Sequence, residues 1–141
     1  MKKRAKAIHA KIRNCRKDAI HKYSTGIVKH YGAVFVGNIS AAGMAESPFA
    51  KSSLDAGSVQ LKDQLRYKCD HAGAVFEVVN KALSTQTCSS CGSVGGPKGL
   101  TGLNERNWLC IHCDTRHDRG VNSAINRRAA GIGRLAGGTY E

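Results

Sequence analysis

The sequence has no apolar run long enough to cross a bilayer. Its opening, MKKRAKAIHAKIRNCRKD, lacks the following stretch of roughly 7–15 apolar residues that a secretory leader needs. Acids are scarce: ten Asp and Glu stand against 22 Lys and Arg in 141 residues, a net charge of +12. The shortage is local, because residues 1–30 hold ten basic groups and a single acid, Asp18, whereas residues 31–84 hold five of each sign. Residues 85–141 return to an excess of +3. So few acids cannot neutralise the basic segment through i,i+4 pairs, which predicts a polyanionic partner, DNA and/or RNA. The segment also lacks a Trp/Phe/Leu face, which argues against an anionic membrane surface. Repeats and low-complexity tracts are absent. These absences predict a soluble, cytoplasmic chain, nucleoid-associated if bound to DNA. In that reducing compartment six cysteines suit a metal better than disulfides.

Residues 3 to about 30 read as one helix, with Ile8, Ile12, Cys15, Ala19, Tyr23 and Ile27 on a stripe in register. Gly26 weakens it and Gly32 is a natural stop. AVFVGN (33–38) suits a buried strand, and GMAESPFAKSSLDAGS suits a loop. VQLKDQLRYKCDHAG places Leu61, Leu65 and Cys69 on one side of a helix that ends near Gly73, before a second strand candidate, AVFEVVN (74–80). Strand, helix and strand make a right-handed βαβ unit if the strands are parallel neighbours. Two such strands have no independent stability, which predicts part of a larger sheet.

Cys88-Ser-Ser-Cys91 is followed after eighteen residues by Cys110-Ile-His-Cys113. This C-x2-C-x18-C-x2-C spacing is that of a zinc ribbon, in which two knuckles supply four thiolates to one tetrahedral Zn2+. Four sulfurs fill the coordination shell, so the predicted zinc is structural. Cys15 and Cys69 are read as small core residues. Trp108, beside the second knuckle, is read as buried, and Asn122 and Asn126 as local hydrogen-bonding groups near the ribbon. Val121, Ala124, Ile125, Ile132 and Leu135 recur at helical spacing and are read as core packing.

Four blocks together, NCRKDAIHKYSTGIVKHYGAVFVGNIS, LRYKCDHAGAVFEVVN, STQTCSSCG and CIHCDTRHDRGVNSAIN, resemble the C-terminal half of TnpB (OrfB-type) insertion-sequence transposases, relatives of the type V CRISPR effectors. The resemblance implies an RNA-guided DNA nuclease of RuvC/RNase-H-like fold, in which three acids hold Mg2+. On that pattern the first acid belongs to a segment upstream of the basic helix. Gly37 stands where the family has Glu, and Gly120 stands where the closing D-R-D-x-N block has its second Asp. No family acid is present, so Mg2+ is not expected at the catalytic position and no catalytic residue is assigned. Asp118 and Glu46 are nearby acids, but recruiting shifted carboxylates conflicts with the tolerance of metal catalysis.

The fold expected is α/β: a long basic helix (1–32), an incomplete RuvC-like βαβ unit (33–83), an inserted four-cysteine zinc ribbon (84–117), and a C-terminal RuvC-like helix and tail (118–141). The function expected is a nucleic-acid-binding protein of TnpB descent without cleavage activity. Its phosphate contacts are assigned to Lys2, Lys3, Arg4, Lys6, Lys11, Arg13, Arg16, Lys17 and Lys22, then to Arg116, Arg119, Arg127, Arg128 and Arg134. A guide-type RNA is one partner the resemblance implies. One alternative is a Mg2+-dependent endonuclease completed by a chain that supplies the missing N-terminal strands. Another is a structural zinc-ribbon adaptor.

Overall fold

The computed structural model describes residues 2–38, 57–99, 102 and 104–137. Two compact units divide the chain, one of Met1–Val34 with Ile39–Glu77 and one of Phe35–Asn38 with Val78–Glu141. The loop expected around residues 43–58, with Glu46, lies almost wholly outside the described residues.

In the first unit, helix α1 spans Lys2–His30 and helix α2 spans Ser58–Ala72. The α1 boundary matches its apolar spacing, but the face it buries differs from the expected stripe. Ile8, Ile12 and Tyr23 are 53%, 49% and 62% exposed, and Cys15 and Ala19 are also exposed. Cys15 is therefore not a core residue. The buried face runs instead through Ile20 and Ser24. Ser24 is fully buried because its hydroxyl donates to Gln64 Oε1 at 2.9 Å, across to α2. Lys68 Nζ adds donations to Ser24 Oγ, Thr25 Oγ1 and the His21 carbonyl, each at 2.7 Å. Apolar periodicity cannot reveal such a face, since its central contact is polar. On the α2 side, Leu65 and Cys69 are buried, as their spacing predicted, and burial pushes the Cys69 thiol up. The helix stops at Gly73, whose φ of 67° is the left-handed conformation that costs glycine least.

Strands β1 (Ala33–Gly37) and β2 (Val75–Val79) form a two-stranded sheet. Val75 N–H donates to Gly32 O, and Asn38 N–H donates to Val79 O, both at 2.9 Å. The two bonds follow the same order along both strands, so the strands are parallel, as a helix-length crossover requires.

In the second unit, β3 (Asn107–Leu109) and β4 (Arg116–Asp118) pair antiparallel with Trp108 opposite His117. Helix α3 (Arg119–Leu135) follows directly. Its start is fixed by Asp118, whose Oδ1 accepts the Val121 N–H at 2.9 Å in an N-cap. Gly131 sits under the ring of Phe35, where any Cβ would overlap ring carbons. The apolar positions of α3 are a second correction. Val121, Ile125, Ile132 and Leu135 are 59%, 46%, 44% and 52% exposed, and Ala124 is exposed too. The side that packs is polar and small: Asn122, Ser123 and Gly131 are the buried residues of α3.

Candidate metal centre and arginine cavity

Both CxxC turns are built alike. In the first, Gly92 N–H donates to Cys88 O and Cys88 N–H to Ser93 O. In the second, Asp114 N–H donates to Cys110 O and Cys110 N–H to Thr115 O. Gly92 and Asp114 occupy the same place in their turns, and both are left-handed, with φ of 78° and 53°. Asp is among the few side chains that tolerate this conformation. A Thr87–Val94 bridge closes the first turn, and the β3–β4 hairpin carries the second.

These turns bring the four predicted ligands together. The Sγ atoms of Cys88, Cys91, Cys110 and Cys113 all lie within 4.8 Å of one another. Cys88–Cys113 is 3.6 Å and Cys91–Cys110 is 3.7 Å. A disulfide needs about 2.05 Å, so these are separate thiols. A tetrahedral ion bound at about 2.3 Å to sulfur requires edges of about 3.8 Å. Two edges match that length and the others stay within 4.8 Å, so the four cysteines can hold a metal ion.

The surroundings move two of these thiols in opposite directions. The Ser93 hydroxyl and N–H hydrogen-bond to Cys91 and hold it down at about 6. At Cys110 the His112 N–H lowers the value, but burial and the neighbouring thiols Cys113 and Cys91 outweigh it and raise the group to about 11. His117 places Nε2 3.0 Å from Cys88 Sγ, with its ring centroid 4.8 Å from that of Trp108. Trp108 is 8% exposed and packs with Cys88 and Cys110, as its position beside the knuckle predicted. His117 was not singled out in the sequence; only the alternation of the short β4 strand points it inward.

Helix α3 anchors the first turn. Asn122 Oδ1 accepts the Ser89 N–H at 2.9 Å, and its Nδ2 donates to Thr87 O at 2.7 Å. Asn126 Nδ2 donates to the Thr87 and Ser84 carbonyls at 2.8 and 2.9 Å. Ser84 and Ser123 pair through their hydroxyls at 2.9 Å.

The remaining candidate residues do not form one site. Lys2 and Lys3 lie on α1, and Arg4, Lys6, Lys11, Arg13, Lys17 and Lys22 are exposed along it. Arg16 is half-buried. Lys22 pairs with Asp18 at 2.7 Å, and that hydrogen bond raises its pKa. Arg116 and Arg128 are exposed. Arg134 is drawn to the Val78 carbonyl at 2.9 Å. Arg119 and Arg127, half-buried, line a cavity of about 360 Å3 at the start of α3. Arg106, which the sequence did not mark, joins them there with Thr85, Glu105, Asp118, Gly120 and Ser123.

Gly37 and Gly120 are both in this second unit. A Cβ on Gly37 would lie 3.4 Å from the Arg127 guanidinium carbon and 3.3 Å from Lys81 Cβ. A Cβ on Gly120 would lie 3.2 Å from Asp118 Oδ1.

Fold and site define a mixed α/β protein that carries a four-cysteine metal-binding cluster. The profile of the family "Cas12f1-like, TNB domain" matches residues 59–127, the stretch that holds all four cysteines. Over 133 residues the chain is 34% identical to a Streptomyces pristinaespiralis protein named "Putative RNA-guided DNA endonuclease", covering 93% of this chain and 32% of that one. InsQ of Escherichia coli K12, which carries the same name, is 28% identical over 97% of this chain and 37% of its own. A chain in the cryo-EM structure of the Cas12f1-sgRNA-target DNA complex shares the fold, with a TM-score of 0.72 and 18% identity over 89% of this chain and 37% of that one. The chain belongs to the TnpB-type family and corresponds to its C-terminal part. It spans about a third of the length of these relatives. No helix among the described residues is long and apolar enough to cross a membrane.

Proposed function

We propose that this chain is a nucleic-acid-binding zinc-ribbon protein of TnpB type that does not cleave. The observation that carries the reading is the pair Gly37 and Gly120. Neither residue has a side-chain ligand, and the neighbour at Gly37 is the cationic Arg127. A two-metal site needs carboxylates to hold its ions, and a guanidinium at that place repels them. Asp118, the nearby acid, is engaged as the N-cap of α3. Its retention is explained by helix structure, without a catalytic role.

Zinc is the metal the cysteine cluster suits, because four thiolates at tetrahedral spacing favour it and leave no open position for water. Its role is then to hold the two turns together. The RuvC-like reading of the βαβ unit is supported by the parallel pairing of β1 and β2 and by the shared fold. The boundaries at 32, 83 and 117 belong to the same proposal.

Nucleic acid, DNA and/or RNA, is the partner. The exposed basic residues of α1, Arg4 through Lys22, form a phosphate-tracking face that gives affinity with little sequence readout. The relatives' names and the guide-RNA complex of the shared fold make a guide-type RNA a natural ligand. A cytoplasmic setting accords with such a partner. The test is a salt titration of the zinc-loaded chain with fluorescent single-stranded RNA and duplex DNA. Tight binding with a steep log–log salt slope supports the reading, and no binding to either at low salt overturns it.

A further inference from the structure

The cavity at the start of α3 has features that the cysteine cluster and the α1 face do not explain. Three guanidiniums, Arg106, Arg119 and Arg127, line it beside two carboxylates, Glu105 and Asp118. Among the described residues, no ion pair joins any of these arginines to either acid. Asp118 Oδ1 is turned to the Val121 N–H. Arg119 directs one terminal nitrogen to Gly102 O at 2.9 Å. The Nε atoms of Arg119 and Arg127 are both buried without a hydrogen-bond partner among the described residues. Buried N–H donors are rarely left unpaired; Trp108 Nε1 beside the cysteine cluster is a third, but only Arg119 and Arg127 also line a cavity that an acceptor can enter.

The chemistry of that acceptor follows from the donors. Guanidinium forks match the oxygens of phosphate, and the start of a helix adds a favourable field for an anion. The glycines complete the argument. A Glu at position 37 would lie against the Arg127 guanidinium and occupy it, and an Asp at 120 would add a negative charge beside Asp118. With glycine at both positions the cavity keeps its net positive set. We propose that it binds a phosphate group directly, through Arg106, Arg119 and Arg127 and without a divalent metal. Resting on the nucleic-acid reading, that group is a backbone phosphodiester; the same donors accept free phosphate.

The full zinc-loaded chain is titrated with inorganic phosphate at fixed ionic strength, in EDTA too dilute and brief to strip the cysteines. The side-chain Nε–Hε signals of its arginines are followed by NMR. Saturable shifts of Arg119 and Arg127, with exposed Arg128 unmoved, are the expected result. Arg127→Gln and Gly120→Asp each weaken the response by about tenfold, with the backbone amide spectrum confirming the fold. Two variants of opposite design keep the test valid if one misfolds. No saturable shift, equal movement of Arg128, or a requirement for Mg2+ overturns the proposal. Oligonucleotide binding without any phosphate response removes the cavity and leaves the nucleic-acid reading. A phosphate response without oligonucleotide binding does the reverse.

Discussion

Asn122 on α3 holds the backbone of Ser89 inside the first cysteine turn, its Oδ1 accepting the Ser89 N–H at 2.9 Å. One side chain thereby couples the helix to the ligand loop. Asn122→Ala leaves that N–H without its partner, whereas Thr87 O keeps the donor of Asn126. The expected loss is about 1–3 kcal/mol, with a smaller loss for Asn126→Ala. Urea unfolding of the zinc-loaded chain measures both. Equal stability of wild type and Asn122→Ala means the coupling carries no weight.

Metal uptake depends on pH with a definite sign. Bound cysteines are thiolates, so zinc binding releases protons and weakens as pH falls. Cys91, held at about 6, is largely charged at neutral pH, and Cys110, near 11 without metal, carries a proton that the ion must displace. Competition with a chromophoric chelator between pH 8 and pH 5 is expected to show a steady loss of affinity. A flat profile rules out thiolate ligation.

Gly131 has no room for a methyl group, because Phe35 lies on it. Gly131→Ala forces the ring or the helix to shift and is expected to cost about 1–3 kcal/mol, despite the better helix propensity of alanine. Gly26 is the control: nothing lies within 4 Å of a Cβ there, so Gly26→Ala is expected to stabilise α1. Thermal melts of the two variants are expected to move in opposite directions.

Supplied with Mg2+, a guide-type RNA and matching DNA, the chain is expected to leave the phosphodiester backbone intact. Gel analysis of labelled strands decides the matter. Mg2+-dependent cuts that disappear with EDTA, reproduced by independently purified protein, restore the nuclease reading and require ligands other than residues 37 and 120.

The sequence made some of this legible because local chemistry was enough. Paired CxxC turns specify a cluster wherever the chain runs between them, and Gly73 ends its helix by conformation alone. What it hid depended on tertiary approach. Periodicity marked Val121 and Ile125 as a coherent face but carried no information about what covers it, and both are exposed. Ser24 carried no apolar signal, yet its polar contact with Gln64 makes it the buried centre of α1. Arg127 and Gly37 are distant in sequence, and neither residue type alone suggests that they meet.

Trp108 has a spectroscopic consequence. It is the sole tryptophan of the chain, and its indole packs beside Cys88 and Cys110 and against the imidazole of His117. Indole emission therefore reports on the cysteine cluster. Opening of that cluster red-shifts the light as water reaches the ring. The molecule carries its own optical gauge of whether its two ligand turns are closed.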